Sequence, residues 1–346
     1  MAAPESLDAL IARLQAPGVV DMHFDLLMDL YEKRRRRGVL RDDHLASLRA
    51  GDMGVVAAAI YLLEGYLPEM ALRVALGQIA RLYSEVEGSA DFAICRTYAE
   101  IEAARQAGKI AFLITMEGVE PLGNDLNLLR VFYELGVRMI GLTHARRNYA
   151  ADGAIFAPQG SSRQGLMPFG REVVRECERL GIILDLAHIN PAGFDDVLAQ
   201  TTRPVVISHT NSRRYYDIER NVTDEQVKAV GRRGGVIGVN ATLVSRDPDG
   251  ATIDRFVDHI AHIADLIGID GVALGFDYFK SLYEALPEAE KEHIRTSMTE
   301  ISIIPDLSYH ADTRNLTHTL IERGFSDEDI GKILYGNWLR ILREML

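Results

Sequence analysis

Residues 182–209, IILDLAHINPAGFDDVLAQTTRPVVISH, contain an apolar run (182–187), a stretch of helical period (191–199) and a second apolar run (204–208). The first run closes on His188 and the second on His209. Strand, crossover helix and parallel strand make a βαβ unit. Both runs are nearly continuous rather than alternating, as strands covered on both faces require. The same pattern extends in each direction. Four runs precede it, at 18–24, 55–61, 111–116 and 138–143, and two follow, at 235–240 and 271–276. Segments of helical period lie at 68–87, 125–135, 168–180, 224–233, 252–267 and 327–344. Two helix starts carry capping patterns, Thr223 with Gln226 and Ser326 with Asp329. Eight strands alternating with helices predict an α/β fold, a (β/α)8 TIM barrel. No repeat or linker divides residues 1–346, so one domain with a carboxyl-terminal helical extension is expected. The connections 145–165 and 278–315 are too long for simple βα loops, and long loops at strand ends build sites.

Composition narrows the function. Among 346 residues, 38 Lys and Arg face 50 Asp and Glu, a formal charge of −12. Binding to a phosphate backbone is driven by cationic side chains, so nucleic-acid partners are not expected. The basic run Lys33–Arg37 reads as a solvated face. No stretch has the length or apolarity of a bilayer span or an export signal, and the two cysteines, Cys95 and Cys177, are isolated. A soluble protein of the reducing cytoplasm, with no membrane partner, is the expectation.

Polar residues gather where the strands stop. The runs end in His23-Phe24-Asp25, Glu117, His144, His188, His209 and Asp277. In a parallel barrel all carboxyl ends open on one face, so these side chains should converge. His23 and Asp25, two apart on a strand, point to one side. Imidazole and carboxylate donors without thiolate suit Zn²⁺, with Mn²⁺, Co²⁺ or Fe²⁺ also admissible. His23, Asp25, Glu117, His188 and His209 are one donor more than a tetrahedral ion uses, and Glu117 can offer one oxygen to each of two ions. A pair of ions about 3.5–4 Å apart sharing Glu117 and a solvent molecule fits this set, and lowers the water pKa from about 15.7 toward about 7. Other chemistries are poorly served: GxGxxG in a strand-to-helix context, GxxxxGK[ST], HExxH and GxSxG are all absent. His259 and His262 sit on a predicted helix and read as a solvated or interhelical pair. His44, His293, His310 and His318 have no comparable context.

The blocks VDMHFD, ITMEGVE, GVRMIGLTH, GLMPFGREVVRECERLGIILDLAH, PVVISHTNSR, ERNVTDEQVKAV, GGVIGVN, IDGVALGFD and GFSDEDIGKILYGNWLRIL resemble, in order and spacing, the membrane (renal) dipeptidase family of binuclear zinc metallopeptidases in the amidohydrolase superfamily. The resemblance runs from about residue 18 to the carboxyl end. It implies two zinc ions, with His23 and Asp25 on one, Glu117 bridging, and His188 and His209 on the other. It also implies roles that spacing does not give. His144 would polarise the scissile carbonyl, Arg220 in ERN would grip the substrate carboxylate, and Asp277 would carry a proton from the attacking water to the leaving amine. The implied activity is hydrolysis of small dipeptides, L-Xaa-D-Xaa among them, by a hydroxide bridging the two zinc ions. A homodimer is implied by likeness alone. Two departures stand out: Phe24 lies where members often have Asn, and Tyr278-Phe279 follow Asp277 where Phe-Asp-Gly is common. The alternatives are the same centre acting on another small amide or lactone, such as an N-acyl amino acid, and a metal-bearing barrel that binds without catalysis.

Overall fold

The computed structural model describes residues 5–156, 164–286, 288–297 and 302–346. Parts of the two long connections noted above, 157–163, 287 and 298–301, lie outside the described residues. All eight expected strands form: β1 (Val19–Phe24), β2 (Met53–Ile60), β4 (Ile110–Glu117), β5 (Val137–Gly141), β6 (Ile183–Asp185), β7 (Val206–Thr210), β8 (Val236–Val239) and β9 (Val272–Leu274). A further short strand, β3 (Phe92–Ile94), pairs with the start of β4. All pairings are parallel, in the order β1-β2-β4-β5-β6-β7-β8-β9. The β9–β1 seam has no regular ladder. It is joined by Asp277 N–H to His23 O at 3.3 Å and Phe276 N–H to the Asp21 carboxylate at 3.0 Å. The barrel is thereby nearly closed, as eight β/α alternations predict.

Alternation along each strand sorts side chains into two cores. On β4, Ala111 and Leu113 face inward and pack with Val20, Val55, Met139, Ile183, Val206 and Val236. Phe112, Ile114 and Met116 face outward, into the layer shared with the helices. Continuing the inward face along β4 brings Glu117 to the carboxyl mouth.

The helix Asn337–Met345 closes the opposite mouth. Asn337 donates to Val272 O at 2.7 Å and Arg340 to Gly234 O at 3.2 Å, both at the amino ends of strands. Trp338, Leu339, Ile341 and Leu342 from this helix join the inner core. Trp338→Ala is therefore expected to cost about 3–5 kcal/mol, a large-to-small change in a filled core. A denaturant midpoint near that of the native chain would contradict this packing.

Thr223 and Gln226 form the expected reciprocal cap. Ser326 accepts from Asp329 N–H, but the shorter Asp side chain bonds the Ser326 hydroxyl instead of reaching back to the backbone. Among the described residues no helix is long and apolar enough to cross a membrane.

Candidate metal centre

Five elements bring the strand-end residues together. His23 Nε2 lies 3.5 Å from Asp25 Oδ1, 3.8 Å from Glu117 Oε1 and 3.9 Å from Asp277 Oδ1. Glu117 Oε1 is 3.0 Å from His188 Nε2 and 3.3 Å from His209 Nε2, and these two imidazole nitrogens are 2.9 Å apart. Three donor groups overlap within this cluster: His23, Asp25 and Glu117; Glu117, His188 and His209; and His23, His209 and Asp277. Glu117 is common to the first two.

Local backbone sets these positions. His188 and Asp277 have φ of 62° and 53°, in the left-handed region that non-glycine residues seldom occupy. Such conformations persist where the surroundings over-determine them, and they cluster at functional sites. Gly275 permits the approach of the strand carrying Asp277 to the strand carrying His209. A Cβ at Gly275 would stand 1.8 Å from Ser208 O.

Several polar atoms here have no partner. His23 Nε2 and Asp25 Oδ1 are buried and make no hydrogen bond among the described residues. Two facing polar atoms left without hydrogen bonds in a closed site are costly unless something else satisfies them. The charges point the same way. Burial lowers the His23 imidazole, yet Glu117, Asp25 and Asp277 outweigh it and raise its pKa to about 10. Burial, reinforced by Asp25, pushes Glu117 well above the carboxylate range. Burial raises Asp277 to about 6 against the pull of His23. Three carboxylates crowd one buried volume, so the cluster attracts positive charge.

The histidines on the other side are prepared as neutral donors. Burial holds His188 and His209 well below the usual histidine value. The Ser208 hydroxyl donates to Asp185 Oδ2 at 2.5 Å, so it accepts from His209 Nδ1 at 2.7 Å. That fixes the proton of His209 on Nδ1 and directs the Nε2 lone pair into the cluster, the arrangement a metal-ligating imidazole needs. The donor types, the lone-pair direction of His209 and the unpaired atoms of His23 and Asp25 fit a divalent cation.

His144 and Arg220 lie at the edge of this cluster. The His144 ring is 4.3 Å from that of His188 and 4.9 Å from that of Tyr61. Burial, with Arg146 and Arg220 nearby, keeps its imidazole neutral. Arg220 is buried and donates from Nη2 to His209 O at 2.9 Å, while its Nε has no hydrogen-bond partner among the described residues. Asn240 donates to Asp277 Oδ2 at 3.0 Å. Sequence reasoning passed over Asp21, Asp185, Ser208 and Asn240. The signal was there for the two aspartates, each a charge inside an otherwise apolar strand.

His259, His262 and His44 have structural partners. His259 Nδ1 accepts from Ser212 N–H at 2.9 Å and Nε2 meets Val244 O at 2.9 Å, while His262 pairs with Asp224 at 2.8 Å. His44 is not without context: it pairs with the buried Asp29 at 2.7 Å. Lys33, from the basic run, bonds the same Asp29.

A family model for membrane dipeptidase (peptidase family M19) matches residues 9–293, and the chain belongs to that family. Dipeptidase tcpJ of Claviceps purpurea is 33% identical over 242 residues, covering 69% of this chain and 52% of its own length. The chain thus spans about half of that relative. An uncharacterized dipeptidase, C965.12, of Schizosaccharomyces pombe is 32% identical over 295 residues, 81% of this chain and 68% of its own length. Among solved structures, a metallo peptidase from Rhodobacter sphaeroides, liganded with a phosphinate mimic of the dipeptide L-Ala-D-Ala, superposes with a TM-score of 0.83 at 25% identity. The match covers 95% of this chain and 99% of that one. Dipeptidase AC, a metallo peptidase of family M19, gives 0.82 at 26% identity over 95% and 98%.

Proposed function

We propose that this chain is a metallo-dipeptidase that hydrolyses the single peptide bond of small dipeptides, L-Xaa-D-Xaa among them, using two zinc ions. The observation that carries the reading is the convergence of His23, Asp25, Glu117, His188 and His209 with unpaired donor atoms facing one another. His23 and Asp25 would hold one ion, His188 and His209 the other, and Glu117 both. When bound, the pair supplies Lewis acidity and makes water reactive at neutral pH. Asp277 takes the proton of the attacking water and delivers it to the nitrogen of the departing amine, which leaves poorly unless protonated. Neutral His144 donates to the carbonyl oxygen as it gains charge. Arg220 receives the substrate carboxylate, its free Nε providing a donor while Nη2 stays anchored to His209 O. The solved relative carrying a dipeptide mimic supports the substrate class.

The test is metal quantification on purified protein together with a panel of L,L- and L,D-dipeptides before and after chelation. Hydrolysis is expected to vanish on chelation and return with Zn²⁺. Acetylating the free amine should lower kcat/KM by about 100-fold or more, since a site built around a polar group rejects the analogue lacking it. Equal turnover of N-acyl amino acids would replace this substrate class with the amide alternative.

A further inference from the structure

The seam between β1 and β9 depends on one buried carboxylate. Asp21 Oδ1 accepts from His23 N–H at 3.1 Å and from Phe276 N–H at 3.0 Å, joining the backbone of a candidate ligand to the residue before Asp277. Asp21 Oδ2 is held by His310 Nε2 at 2.9 Å, and both residues are buried. A carboxylate has no proton to give, so the imidazole donates. The His310 ring is boxed by aromatics, with centroids 4.8 Å from Phe24, 4.9 Å from Tyr278 and 6.3 Å from Phe276, all edge-on.

Those rings are the chain neighbours of the centre. Phe24 lies between His23 and Asp25, and Phe276 and Tyr278 flank Asp277. Phe24 and Tyr278, both departures from the family pattern, therefore meet on one imidazole that reaches them from the far side of the sequence. The backbone of His310 is fixed as well, because its carbonyl abuts Gly51, where a Cβ would stand 2.0 Å away.

We infer that His310 is a positioning residue: through Asp21 and the aromatic box it sets the spacing of His23 and Asp25 against Asp277 across the open seam. This rests on the reading of His23 and Asp25 as metal ligands. His310 touches neither substrate nor ion, and acts on the ligands as a hydrogen-bonded partner acts on a coordinating side chain. Loss of such partners typically weakens metal affinity by about 10–100-fold.

The test compares His310→Phe, which keeps a ring in the box and removes the donor, with His310→Gln, which keeps a donor near the Nε2 position. Zn²⁺ affinity by chelator competition, the visible absorption of the Co²⁺-loaded protein and thermal melting are measured without substrate. The Phe variant is expected to fold, to bind the weaker-held Zn²⁺ about 10–100-fold less tightly and to shift the Co²⁺ bands. Its kcat should fall with KM little changed. The Gln variant should recover most of the affinity. Native Zn²⁺ affinity with an unshifted Co²⁺ spectrum in His310→Phe overturns the positioning role. Where the Phe variant does not fold, His310→Gln against His310→Met makes the same comparison between chains of equal length, and equal Zn²⁺ binding by the two overturns it. A native protein that binds no Zn²⁺ overturns the ligand reading and this inference with it. Native binding with unchanged variants overturns the inference alone.

Discussion

Asp277→Asn is expected to retain the metal content of the native protein while kcat falls by about 10²–10⁴-fold, the range general acid–base catalysis supplies. The substitution isolates the proton-accepting role because it disturbs little else. Asp277 has φ of 53°, and Asn is among the few residues that tolerate this region, so the backbone gains no strain. An Asn side chain can turn its carbonyl oxygen toward Asn240 Nδ2, preserving the 3.0 Å hydrogen bond that aims the residue. The group turned inward then becomes an amide NH₂, which donates where a carboxylate accepts. Volume, contacts and fold are unchanged; the capacity to take a proton is lost, together with one of the three negative charges around His23. KM should move little, since the substrate carboxylate is assigned to Arg220. Metal content by elemental analysis and single-turnover kinetics check the outcome. A native kcat would remove Asp277 from proton transfer. Loss of metal in step with kcat would recast it as a ligand, the role its grouping with His23 and His209 would otherwise allow.

How much of this was legible in the sequence depended on how local each determinant is. The barrel was readable because strand period and strand order are local properties, and eight apolar runs alternating with helices admit few topologies. Strand β3 escaped because three residues, FAI, carry too little pattern and pair only with the foot of β4. The helix Tyr98–Gln106 was missed although Thr97 and Glu100 form a reciprocal cap that the motif T-x-x-E announces. His23, Asp25, Glu117, His144, His188, His209 and Asp277 were found because a parallel barrel converts "end of a strand" into "same face". Arg220 is different. It follows β7 in a loop, and only the family resemblance singled it out. The Asp21–His310 pair joins residues 289 positions apart, and nothing around His310 in the sequence signals its partner. Long-range pairs formed by side chains from a connecting segment leave no periodic trace, so only the folded chain reveals them.

Glu117→Gln is expected to empty both halves of the centre, with kcat falling by roughly 10³-fold or more, because the charge stabilisation lost with the ions amounts to several kcal/mol. Glu117 Oε1 faces His188 and His209 at 3.0 and 3.3 Å and His23 at 3.8 Å, nearer to ligands of both groups than Asp277, which stands 3.9 Å from His23 and 4.0 Å from His209. A carboxamide of the same shape brings no negative charge and one oxygen in place of two, so it could not serve a cation on each side as the carboxylate would. The metal-free protein should respond with the opposite sign. Burial and the neighbouring Asp25 push the Glu117 carboxyl well above the usual range, which means its charged form is disfavoured in the folded chain. A group disfavoured in this way subtracts from stability at neutral pH, where the unfolded chain ionises it freely. Removing the charge should therefore raise the melting temperature of the metal-free variant above that of metal-free native protein. In the presence of Zn²⁺ the order should reverse, because only the native chain gains stability from bound metal. Calorimetry of the four states, two proteins with and without metal, measures both differences. A metal-free variant that melts below the metal-free native chain would show that Glu117 is held for packing rather than for the cation its charge invites.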